Sequence, residues 1–96
     1  MQLVCLRSQI PSGTLYPVQY QDEKVLLLDD GETIRAFHRH CPHQNADLIH
    51  GHLQDGQLTC PMHRITFNLR QPNSEGYPWK MKCFDVVVEG DEVYLK

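Results

Sequence analysis

Two short stretches in the middle of the chain decide how the rest is read: Cys41-Pro42-His43 and Cys60-Pro61-Met62-His63. They have the forms C-x-H and C-x-x-H, and residues 44 to 59 separate them. Two soft thiolates and two imidazoles make a complete four-ligand metal site. The two halves are not equivalent, however. A structural zinc site favours gaps of two to four residues between its paired ligands. C-x-H is tighter than that, and both side chains of so short a loop tip rarely converge on one ion. A pair of irons removes the difficulty, because one can take both cysteines and the other both histidines. A single structural zinc, making the chain a zinc-stapled interaction module, stays open as the competing reading.

Working outward, both flanks read as β-strands. Gln2–Arg7 is a strand candidate that ends at Pro11-Ser12-Gly13, and Thr14–Tyr20 is a second, with Pro17 marking an edge or a bulge. Lys24–Asp29 and Thr33–His38 flank Asp30-Gly31, while Cys83–Glu89 and Glu92–Lys96 flank Gly90-Asp91. Both are hairpin signals. No window carries the apolar period of a helix of ten residues or more; a single helical turn is expected near Asn45. Between the two Cys/His stretches, residues 51–58 read as a short hairpin. The expected architecture is all-β: an antiparallel β-sandwich base from residues 1–36 and 74–96, with a loop-rich cluster-binding subdomain at 37–73.

The chain has 96 residues, of which 41% are hydrophobic and 22% charged, with a net charge of −3. That is one domain, with too small a core to spare and no basic excess of the kind nucleic-acid binding needs. The charge is uneven. Arg39, Arg64 and Arg70 outnumber Asp47 and Asp55 between Phe37 and Gln71, whereas the flanks are acidic. All six histidines, His38, His40, His43, His50, His52 and His63, fall in that middle segment. Such a polar insert does not fold on burial alone, and bound metal would help to order it. The N-terminal residues lack the pattern of a signal peptide, and no apolar run approaches the ~20 residues of a membrane span. A cytoplasmic location with reduced thiols is therefore expected.

The spacing C-x-H, then C-x-x-H resembles the signature of the Rieske family. CPHQNADL at 41–48 resembles the first loop of that family, Gly56-x-Leu58-x-Cys60-Pro61-x-His63 resembles the approach to its second loop, and Phe67 stands where an aromatic usually follows. The resemblance covers roughly residues 14 to 96. It implies the Rieske fold and one 2Fe–2S cluster per chain, with Cys41 and Cys60 on an inner iron and His43 and His63 on an outer iron near the surface. The respiratory members carry two further loop cysteines, where this chain has Ala46 and Met62. Their sulfur-bonding Ser and Tyr correspond to Ile65 and Phe67 here. Fewer hydrogen bonds to sulfur imply a potential at the low end of the roughly −150 to +300 mV Rieske range. Asn45 and Arg64 depart from the family, since glycine is usual at both places.

The implied function is a soluble, monomeric electron carrier that is not itself an enzyme. It would dock transiently, through its His43/His63 end, to a flavin-dependent reductase and a terminal oxygenase. A Rieske-like small subunit of a larger reductase, of the nitrite-reductase type, is the alternative. An oxygenase is not expected at this size, because its mononuclear iron needs a separate large domain. Other candidates have plainer readings. Cys5 and Cys83 are expected to be buried thiols in strands, and His38/His40 and His50/His52 to lie on solvated faces. Asp47 is expected to cap a loop. Tyr77-Pro78-Trp79 could cover the cluster, with Trp79 a packing residue.

Overall fold

The computed structural model describes residues 1–41, 46–61, 66–69 and 81–96. Its architecture is all-β, with three antiparallel sheets. The first sheet joins the two ends of the chain: β1 (Gln2–Leu6), β10 (Glu92–Leu95) and β9 (Val86–Glu89), in that order. The second runs β2 (Tyr16–Tyr20), β3 (Glu23–Asp29), β4 (Ile34–His38), β8 (Cys83–Phe84). The third and smallest is β5 (His52–Gln54), β6 (Gln57–Thr59), β7 (Thr66–Asn68). Pro17 does lie on an edge, since β2 ends its sheet, and the bulge near the N-terminus falls instead in β1, between Leu3 and Cys5.

The run Val25-Leu26-Leu27-Leu28 explains how the layers are joined. All four side chains are buried, because the second sheet is covered on both faces. Successive strand residues point to opposite faces, and the two cores divide accordingly. Val25, Leu27, Ile34 and Ala36 pack with Cys5, Ile10, Val93 and Leu95 on the side of the terminal sheet. Leu26, Leu28 and Phe37 pack with Leu48, Leu58, Phe67, Leu69 and Met81 on the side of the small sheet.

Turn chemistry sets the registers. Asp55 (φ 53°) and Gly56 (φ 76°) form the two-residue link between Gln54 and Gln57, with positive φ at both positions as a type I′ hairpin requires. The β3–β4 turn is built on Asp30, whose Oδ1 accepts from the backbone N–H of Glu32 and of Thr33, both at 2.9 Å, and whose Oδ2 accepts from Arg35 Nε at 2.6 Å.

Two expectations need correcting, on the last strand and on Cys83. Cys83–Glu89 is not one strand: Asp85 interrupts it, so that Cys83–Phe84 pairs with β4 and Val86–Glu89 pairs with β10. The segment crosses from one sheet to the other and ties them together. Among the described residues the helical turns are two 3-10 turns, Arg7–Gln9 and Leu48–His50; the expected start near Asn45 lies outside the described residues. Cys83 is exposed, unlike buried Cys5, because β8 is a two-residue edge strand. Its thiol sits 3.7 Å from the carbonyl oxygen of Met81.

Candidate functional site

The site is built where β4 runs out. The N–H of His38 donates to the carbonyl of Lys82 at 2.8 Å, and that of Arg39 to the carbonyl of Lys24 at 2.9 Å, so the strand end is held from both sides. The chain then turns back on itself. Cys41 N–H donates to Ala46 O and Leu48 N–H to Arg39 O, each at 2.7 Å, and His40 bridges to Asp47. Residues 39–41 and 46–48 thus form the two stems of a loop. The second loop rises from a similar base, because Thr59 and Thr66 are paired across β6 and β7 and their hydroxyls lie 3.0 Å apart.

Cys41 and Cys60 stand at the feet of these two loops. They are 2% and 1% exposed, and both belong to the core cluster of Leu26, Leu48, Leu58 and Phe67. The two thiols that the sequence singles out thus lie in one buried cluster. None of the four cysteines is in a disulfide. His43, His63, Met62, Arg64, Ile65 and Tyr77-Pro78-Trp79 lie outside the described residues. Among the described residues no group of three or more His, Cys, Asp or Glu could hold a metal ion, since two of the four expected ligands are not among them.

Asp47 caps as expected: its Oδ1 accepts from Ile49 N–H at 3.1 Å. It also has a partner that sequence reading missed. Arg39 Nε donates to Asp47 Oδ1 at 2.8 Å and Nη2 to Oδ2 at 2.9 Å. The hydrogen-bonded guanidinium holds the Asp47 carboxyl below its ordinary range, and the carboxylate pushes Arg39 up. Gly51 was missed as well. A Cβ there would lie 2.6 Å from Thr59 O and 3.0 Å from Leu48 O, so only glycine lets the 3-10 turn approach β6 next to Cys60.

The histidine pairs behave differently from each other. His38 and His40 are half-buried, with ring centroids 5.5 Å apart. The backbone N–H of His40 donates to His38 Nδ1 at 3.2 Å, which places the proton of neutral His38 on Nε2. His50 and His52 are exposed, and His52 Nε2 lies 3.1 Å from Gln54 Oε1.

Comparison with known proteins settles what such a pair of loops belongs to. Residues 1–86 match the family described as the Rieske 2Fe-2S domain. The chain belongs to the Rieske family. The match begins at residue 1, earlier than the residue 14 at which the sequence resemblance starts. This Rieske domain is 26% identical to the ferredoxin of carbazole 1,9a-dioxygenase from Nocardioides aromaticivorans IC177, with a TM-score of 0.82 over 97% of this chain and 93% of that one. It is 27% identical, with a TM-score of 0.81 and full coverage of both chains, to a chain in a complex of reduced oxygenase and oxidised ferredoxin of carbazole 1,9a-dioxygenase. It is also 32% identical to human apoptosis-inducing factor 3 over 97% of its own length, but spans only 16% of that protein. Against the ferredoxin component of the alkene monooxygenase system of Xanthobacter autotrophicus, it is 29% identical over 96% of itself and 77% of the relative.

A Rieske domain carries one 2Fe–2S cluster per chain. The described residues fit that group: two soft thiols are shielded from water in one apolar cluster at the feet of two loops, the donor type that iron–sulfur centres use. Among the described residues no helix is long and apolar enough to cross a membrane.

Proposed function

We propose that this chain holds its cluster through Cys41, His43, Cys60 and His63 and carries single electrons from a flavin-dependent reductase to a terminal oxygenase. The observation that carries the reading is the burial of Cys41 and Cys60 in one core cluster. Thiolates buried there would serve the inner iron, while His43 and His63, two and three residues further along their loops, would serve an outer iron. When bound, such a cluster takes up and releases one electron at a time. Two ferric ions, two sulfides and two thiolates carry no net charge together, which favours reduction over an all-thiolate centre.

The chain's own residues tune this. Neither Ile65 nor Phe67, which stand where the sulfur-bonding Ser and Tyr of respiratory relatives would be, has a hydroxyl to offer a sulfur. A potential at the low end of the roughly −150 to +300 mV Rieske range is the result. Residues 37–73 would form the cluster-binding subdomain, on a base of 1–36 and 74–96. Docking would be transient, by a monomer, at the His43/His63 end, and the carrier would have no activity alone.

A second reading has its own support. The same domain makes up 16% of human apoptosis-inducing factor 3, so it also occurs inside longer chains. On that reading it is a Rieske-like part or small subunit of a larger reductase, bound permanently. Purification from its native cells separates the two: a carrier elutes as a red-brown monomer, a subunit in a stable complex. A colourless, zinc-containing protein would refute both.

A further inference from the structure

Arg39 and Asp47 straddle the first loop. Arg39 lies two residues before Cys41, and Asp47 follows directly on Ala46. Between them run the two stem hydrogen bonds, Cys41 N–H to Ala46 O and Leu48 N–H to Arg39 O. The guanidinium meets the carboxylate at two points, 2.8 and 2.9 Å, a fork geometry that fixes orientation as well as distance. The side chains are 26% and 31% exposed.

Magnitude separates two roles for such a pair. A partly exposed ion pair contributes only about 0–1 kcal/mol to global stability. The base of the domain has its own equivalent, Arg35 on Asp30, and does not depend on this one. Local opening of a loop is a different equilibrium, with a much smaller free energy to overcome than global unfolding. A clamp across two stems acts on that equilibrium directly.

We propose that the Arg39–Asp47 ion pair is the positioning clamp of the first cluster loop, holding Cys41 in place while keeping an unneutralised charge away from the cluster. The inference rests on the cluster-carrying reading above. Neither residue is a ligand. Both act through the stems, and through the cancellation of their charges.

The test compares the cluster-loaded wild type with Asp47→Asn, Arg39→Gln, the double variant, Arg39→Lys, and Arg35→Gln as a control. Bleaching of visible absorbance by an iron chelator and the reduction potential are measured on each. Asp47→Asn and Arg39→Gln should each bleach about tenfold faster, the lower end of what outer-sphere partners of a metal site contribute. The double variant should bleach no faster than the faster single. The potentials should move in opposite directions: up in Asp47→Asn, where a bare guanidinium favours the more negative reduced state, and down in Arg39→Gln. The double should return towards wild type. Arg39→Lys keeps the charge and loses the fork, so it should bleach faster at an unchanged potential, and it serves if a neutral variant fails to fold. Arg35→Gln should lower the melting temperature and change neither readout. Wild-type bleaching rates in the single variants, additive acceleration in the double, or potentials moving the same way would overturn the clamp. A wild type that binds no iron would instead overturn the reading beneath it.

Discussion

Cys41 and Cys60 share one core: they are 2% and 1% exposed and pack in the same cluster with Leu48, Leu58 and Phe67. Replacing either by serine puts a hydroxyl where soft thiolate chemistry is needed. Cys41→Ser and Cys60→Ser should each bind less than a tenth of the wild-type iron, on the order of the loss seen when a metal site loses a preferred donor. Iron analysis of the purified variants checks this.

Leu26 and Leu27 are neighbours in the chain but face different cores. Leu26→Ala and Leu27→Ala should each cost about 2–5 kcal/mol in denaturant unfolding. Only Leu26→Ala opens the cluster that contains the cysteines, so only it should accelerate bleaching by a chelator under native conditions.

Gly51→Ala should destabilise the fold by about 1–3 kcal/mol, because the new methyl meets the backbone oxygens of Thr59 and Leu48 as well as the Leu58 side chain. Either the turn at Leu48–His50 or β6 must move. A shift confined to those elements, seen as changed amide chemical shifts around Leu48 and Thr59, is the expected signature.

Asp30 should contribute to the acid sensitivity of the base. The backbone N–H of Thr33 first, and then the Arg35 side chain, hold its carboxyl well below the ordinary range. The sign follows directly: a depressed folded-state pKa gives stability that is present above the unfolded value of about 3.9 and is lost as the pH falls below it. Asp30→Asn should lower stability at pH 7 by about 1 kcal/mol, modest because the ion pair is partly solvated. It should also flatten the fall in melting temperature between about pH 5 and pH 2, measured by thermal scans across that range.

Most strands were legible because their signals are local. Asp30-Gly31 and Gly90-Asp91 marked two hairpins, and Pro17 marked an edge. What was not legible depends on partners far along the chain. Nothing in CFDVVVE announces that Asp85 marks a change of sheet; that follows only from pairing with β4 on one side and β10 on the other. The exposure of Cys83 has the same origin, since burial is decided by where its short strand sits. Of the site, the cysteine positions and the Asp47 cap could be read from the sequence. The Arg39–Asp47 fork could not, because it depends on the register of two stems. The need for glycine at position 51 could not either, because it is set by the distance to Thr59 O on β6.

The central claim is mixed ligation of one cluster by Cys41, Cys60, His43 and His63. Pulsed electron paramagnetic resonance on the chemically reduced protein, labelled with nitrogen-15 in histidine only, tests it most directly. The account predicts strong couplings from two histidine nitrogens. A paramagnetic cluster with no histidine coupling, or a colourless protein holding zinc, would contradict it.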